Sequence, residues 1–194
     1  MAKQVWKGSA LLAPLPPALV TCGTMEKPNI LTIGWTGIIN SQPPKTYISV
    51  RPERLSHSII SETREFVINI PTEALVRAVD FCGVRSGRDT DKFAECSLHA
   101  EKADKVTSPL LEESPVNLEC KVFDIVPLGT HDMFLADIVA VDVDDSLLDE
   151  EGKLHLERCR PIAYSHGEYY KLGAKLGFFG YSVRRKKHIK REKR

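Results

Sequence analysis

The sequence predicts a mainly β protein with helical insertions, folded as an antiparallel barrel, and three observations carry that reading. Apolar and β-branched runs are short and bounded by Pro, Gly or Asn. The clearest of them alternates apolar and polar residues with period two. Helical patterns are few and do not alternate regularly with the strands, as a doubly wound parallel sheet would require. With 194 residues, 42% hydrophobic and 27% charged, the chain suits a soluble globular domain and excludes collagen-like, fully disordered and membrane-spanning readings.

Taken in order, strands are expected at Ala18 to Gly23, Ile30 to Trp35, Thr46 to Val50 and Phe66 to Ile70. A helix follows Pro52, with Leu55, Ile59 and Ile60 on one face. A second helix starts after Thr72 as N-cap, carries Leu75, Val76, Val79 and Cys82 on its apolar face, and stops at Gly83. A third, short helix begins near Asp89-Thr-Asp-Lys-Phe. Beyond it, Val116, Leu118, Cys120 and Val122 alternate with Asn117, Glu119 and Lys121, a strand with one wet face. The run from Met133 to Val143 is apolar on both faces until Asp142 and belongs in the centre of the sheet. Pro127-Leu-Gly-Thr-His-Asp between them is a turn-rich hairpin connection.

The net charge of +1 hides an asymmetry. Residues 184–194 hold eight Lys or Arg against Glu192, so this tail carries +7 and the rest carries −6. The chain therefore divides into a domain, 1–183, and a basic tail, 184–194. A block of like charge self-repels, and with Tyr181 as the aromatic beside it the tail reads as a solvated extension rather than a nucleic-acid contact. The longest apolar stretch, Ala10 to Val20, is broken by Pro14, Pro16 and Pro17 and is too short to span a bilayer as a helix. It lacks the cleavage site of a secretory signal. Five scattered cysteines without a Cys-x-x-Cys imply neither a disulfide framework nor a zinc ribbon. The expected compartment is the reducing cytoplasm, with no membrane partner.

Motifs for a dinucleotide fold, a P-loop, a serine nucleophile elbow and a zinc protease are all missing, and the six histidines stand at no metal spacing. Gly83-Val-Arg-Ser-Gly-Arg is a basic turn without the Lys-Ser/Thr of a phosphate loop. The dense polar segment from Asn29 to Ser56 is the candidate site. Gly34 beside Trp35 lets a flat ring approach backbone amides, and Arg51 and Ser56 can meet an anion at the following helix. The same residues also read as a hairpin with Trp35 in the core and Arg51 in a surface ion pair.

Thr32-Ile33-Gly34-Trp35-Thr36-Gly37, Asn40-Ser41-x-Pro43-Pro44 and Ser49-Val50-Arg51-Pro52-x-Arg54-x-Ser56 resemble the flavin reductase-like family of FMN-binding split barrels, most of all its flavoredoxin branch. Phe66-Val67-Ile68-Asn69-Ile70-Pro71, Ser86-Gly87-Arg88-Asp89-x-Asp91-Lys92-Phe93 and Leu172-Gly173 agree in order, so the resemblance runs from about Trp6 to about Tyr181. It implies a Greek-key split β-barrel and a homodimer with one FMN per subunit near the interface. It also implies FMN contacts at Asn29, Trp35, Thr36, Ser56, Lys92 and His131, with Tyr164 flanking the flavin. Backbone amides around Gly34 to Thr36 and around Ser49, Val50 and Arg51 would face the ring carbonyls.

Beside the resemblance, Arg51, Lys92 and Ser56 supply donors for a phosphate, with Lys92 read as a solvated charge on a short helix. Asn29 and Thr36 suit the uracil-like edge of the ring, and His131 can influence its protonation. No catalytic residue is assigned, because the flavin carries the hydride chemistry. Two functions follow from the resemblance: a flavin reductase fed by NADH or NADPH, and an FMN electron carrier serving small-molecule or protein redox partners. Nucleic-acid binding through the tail is the third and weaker reading.

Overall fold

The computed structural model describes residues 1–184; residues 185–194, which hold most of the basic tail, lie outside the described residues. Seven strands build one antiparallel sheet: β1 (Ala18–Gly23), β2 (Pro28–Ile33), β3 (Thr36–Ser41), β4 (Pro44–Val50), β5 (Glu65–Asn69), β8 (Val116–Pro127) and β9 (Asp132–Val143). The two-stranded pairs β6 (Ala100–Glu101) with β7 (Leu110–Leu111), and β10 (Ile162–Ser165) with β11 (Glu168–Lys171), lie outside it. Strand order in the large sheet is β2-β1-β5-β8-β9-β4-β3. The sheet curls so that Leu31 and Ile33 of β2 share one core cluster with Ile48 and Val50 of β4, which brings its two ends towards each other as a barrel.

Alternation decides what fills that barrel. Val20 and Cys22, Leu31 and Ile33, Ile48 and Val50, Phe66 and Ile68, Cys120 and Val122, and Phe134 and Ala136 all point inward to one cluster. Phe66 and Phe134 are fully buried there, and truncating either to Ala would cost about 3–5 kcal/mol. Helix α1 (Leu55–Thr63) plugs one end with Ile60. On the other face of β1 and β2, Leu19 and Ile30 pack against α2 (Val76–Val84) and α3 (Lys92–Cys96).

Several expectations need adjusting. The strand expected to run through Trp35 stops at Ile33, and β3 begins at Thr36, because the chain breaks direction at Gly34 and Trp35. Thr72 precedes a short 3-10 turn, Glu73–Leu75, without a side-chain capping bond, and α2 follows it. Gly83 does not end α2, which continues to Val84. A Cβ there would sit 3.4 Å from the Thr32 side chain, so the glycine lets the helix lie close on β2. Asp91 caps α3 by accepting from the Phe93 and Ala94 amides (3.0 and 3.1 Å). β9 is paired on both sides, by β8 and β4, yet Val139 and Val141 on it stay exposed. No helix among the described residues is long and apolar enough to cross a membrane.

Candidate functional site

The break between β2 and β3 opens a cleft of about 540 Å³. Gly34, Trp35, Ser49, Val50, Arg51, His131 and Tyr164 line it, with the 10–15 segment along one side. Leu15 and Tyr164 hold that segment through two backbone bonds (2.8 and 2.9 Å). Trp35 is 41% exposed, so it is a cleft wall rather than a core residue. The His131 ring lies against it at 4.6 Å between centroids, tilted by 43°. Burial, and then the nearby Arg51 guanidinium, hold the His131 imidazole below its ordinary value of 6.5. The Thr130 hydroxyl engages His131 Nδ1 (3.0 Å), which leaves Nε2 for the cleft.

A second cleft, about 520 Å³, adjoins the first and shares Leu31, Arg51 and Arg54 with it. Its lining contains Arg51, Arg54, Arg85, Arg88 and Lys92 against one carboxylate, Glu53. Ser56 and Ser86 add hydroxyls. The N-terminus of α1 faces it, with no side-chain cap and no acidic residue in the first turn, so its free amides and helix dipole favour an anion. Arg51 also meets Glu53 at 3.4 Å in an exposed ion pair, which is the bland reading of that residue realised alongside the cleft.

The buried floor of this cleft corrects the expectation for Lys92, which is 5% exposed rather than solvated. Its Nζ donates to the carbonyls of Ile30 (2.7 Å) and Cys82 (3.0 Å). Two of three ammonium donors are thus spent on the fold, and one is left for the cleft. Burial lowers its pKa from 10.5; the Cys82 thiol opposes that shift and the Arg54 charge adds to it. Asn29 is likewise buried, and its Nδ2 donates to Ser56 Oγ (2.6 Å). Asn29 therefore lines the cationic cleft and holds Ser56 there. Gly87 is held against it: a Cβ there would stand 2.1 Å from Asn29 Oδ1 and 3.1 Å from Leu55 Cδ2.

Of the residues named from sequence, Thr36 alone lines neither cleft; its hydroxyl donates to the Tyr47 carbonyl (2.7 Å) within the sheet. The residues that sequence reasoning undervalued are Arg85 and Arg88. They lie in the turn that lacks a P-loop signature, and the α2–α3 connection carries them to the start of α1, where Arg88 Nη1 donates to the Glu53 carbonyl (2.7 Å). Arg54 lies inside the Ser49–Ser56 motif, whose spacing alone assigns it no role.

An aromatic cleft joined to a cationic one has the chemistry to hold a flat ring tethered to a phosphate. The donor set fits such a group, with guanidinium, ammonium, hydroxyl and helix amides converging at one end. Comparison with known proteins agrees with this geometry. A solved flavoredoxin of Desulfovibrio vulgaris (Miyazaki F) superposes with a TM-score of 0.86 and 31% identity, covering 94% of this chain and 100% of that one. An uncharacterized protein of Archaeoglobus fulgidus is 34% identical over 71% of this chain and 77% of its own. An NADPH-flavin oxidoreductase of Streptomyces viridifaciens is 24% identical over 77% of this chain and 78% of its own. The family model described as "Flavin reductase like domain" matches residues 11–173, a span that holds every lining residue of the two clefts except Ala10. By fold, site and sequence together, this chain belongs to the flavin reductase-like family.

Proposed function

We propose that the protein is an FMN-dependent oxidoreductase that holds the flavin ring in the aromatic cleft and its phosphate in the cationic one. The observation that carries this is the junction of the two clefts at Leu31, Arg51 and Arg54. When bound, FMN supplies the hydride and single-electron chemistry. The chain's own residues do the rest. Trp35 and His131 wall the ring, Arg54, Arg85, Arg88 and Lys92 neutralise the phosphate, and Asn29 aims the Ser56 hydroxyl. His131 is held neutral near pH 7, so its Nε2 can accept or return a proton beside the ring.

The electron donor in this reading is NADH or NADPH, and the relative named as an NADPH-flavin oxidoreductase supports it. The second reading, an FMN electron carrier for protein partners, draws its support from the flavoredoxin likeness. Rapid mixing of the FMN-loaded protein with NADH or NADPH separates them. Bleaching of the flavin within seconds supports the reductase, and no reduction by either nucleotide supports the carrier.

The homodimer belongs to the same proposal. Ile38 (66% exposed) on β3, Phe123 (47%) on β8 and Val141 (54%) on β9 are exposed apolar side chains of the sheet, of the kind a second copy would cover. Sedimentation velocity decides it, and a single monomeric species at micromolar protein would refute it. Free cysteines throughout the described residues agree with a cytoplasmic location.

A further inference from the structure

Neither His57 nor Asp132 lines a cleft, yet the two form a close polar pair between the elements that carry both. His57 Nε2 lies 2.8 Å from Asp132 Oδ2. A carboxylate oxygen accepts, so the ring nitrogen donates. Both side chains are largely withdrawn from water, at 17% and 19% exposure. The His57 ring also meets the fully buried Phe134 ring edge-on, at 5.1 Å and 78°. Exposed pairs of long side chains contribute little, because they are mobile and screened. This one joins two short side chains packed on the core, which holds it in one geometry.

Its two ends belong to different halves of the site. His57 sits in the first turn of α1, next to Ser56, which lines the cationic cleft and accepts from Asn29. Asp132 opens β9, next to His131, which lies against Trp35 in the aromatic cleft. Between these ends the chain runs through both arginines that the clefts share. Val50, the last residue of β4, pairs with Asp132 across the ladder. Arg51 follows; the Arg54 N–H donates to the Arg51 carbonyl (3.0 Å), and the His57 N–H donates to the Arg54 carbonyl (3.0 Å). The His57–Asp132 bond therefore closes a circuit through Val50, Arg51 and Arg54, and ties the ring end of the site to the phosphate end.

On the FMN reading proposed above, we infer that His57 and Asp132 are positioning residues whose hydrogen bond sets the separation between the ring wall at His131 and the anion site at the start of α1. FMN has to reach both at once. Its ring and phosphate are joined by one ribityl chain, so each end helps the other to bind only where the two sites stand at the right spacing. A molecule that occupies one cleft alone has no such requirement.

The test compares three probes on the full chain stripped of flavin. They are FMN, riboflavin as the ring without the phosphate, and inorganic phosphate read as a competitor of FMN. His57→Leu keeps an apolar contact for Phe134 and removes the donor. It should bind FMN about ten-fold more weakly, with riboflavin and phosphate each within about two-fold of the parent. His57→Gln retains an Nε2 donor for Asp132 and should restore FMN binding to within about two-fold of the parent. Asp132→Ala breaks the pair from its other end, so the outcome does not hinge on His57→Leu folding. It should show the same loss, and the double variant should lose no more than either single one. Four results would each remove the positioning role. They are undiminished FMN affinity in either single variant, equal losses for all three probes, a His57→Gln variant as weak as His57→Leu, and losses that multiply in the double variant. A parent chain that takes up no FMN would overturn the flavin reading and this role with it, whereas a parent that binds FMN beside unaffected variants overturns this role alone.

Discussion

Lys92→Met keeps most of the apolar stem and removes only the ammonium, so it isolates what that charge does. In the folded chain two buried carbonyls, of Ile30 and Cys82, would lose their donor. Each unsatisfied buried acceptor costs about 1–3 kcal/mol. Against that, the variant no longer buries a cation, a burial unfavourable enough to lower the Lys92 pKa from 10.5. The net expectation is a loss of about 2 kcal/mol, or roughly 4–8 °C in melting temperature for a chain of this size. The third donor of Lys92 faces the phosphate end of the site, so FMN affinity should also fall, by about ten-fold, with riboflavin affinity almost unchanged. Thermal melts of the apo-protein and fluorescence titrations with both flavins measure the two effects separately. A variant that loses FMN but melts like its parent would refute the buried prop and restore Lys92 as a surface charge. One that melts lower but binds FMN normally would remove it from the phosphate site.

Other outcomes follow from the same geometry. Gly87→Ala should push Asn29 off Ser56 and weaken FMN by about ten-fold, at a stability cost of about 1–3 kcal/mol, read from titration and melting. His131 has its folded pKa lowered below 6.5, so its contribution to stability is complete above 6.5 and is lost as pH falls through the folded value. His131→Gln should therefore lose less stability than the parent on acidification from neutral pH, and parallel melting curves across that range would contradict the assignment. Deleting residues 184–194 should leave flavin content and dimerisation unchanged, because the family match ends at residue 173; loss of either would make the tail structural.

The barrel was legible in the sequence where burial is one-sided. β8 alternates Val116, Leu118, Cys120 and Val122 against polar residues, and the structure turns Cys120 and Val122 into the barrel. β3 is not legible as a strand of its own, because Ile38 and Ile39 are adjacent and both exposed, so no alternation marks it. The site was legible as a set of residues but not as a geometry. The motifs placed Asn29, Ser56 and Lys92 together, yet only the fold shows that Asn29 serves Ser56 and that Lys92 points inward beneath α2. Thr36 matched a motif while its hydroxyl was already committed across the hairpin to Tyr47. The roles of Arg85 and Arg88 depend on contact between segments about 35 residues apart, which no local spacing reveals.

The central claim is that joined aromatic and cationic clefts hold FMN, and the visible spectrum of the purified protein tests it most directly. The account predicts a yellow protein with flavin absorbance at about one noncovalent FMN per chain, either as isolated or after adding FMN and removing the excess. A colourless protein that takes up no FMN would contradict it.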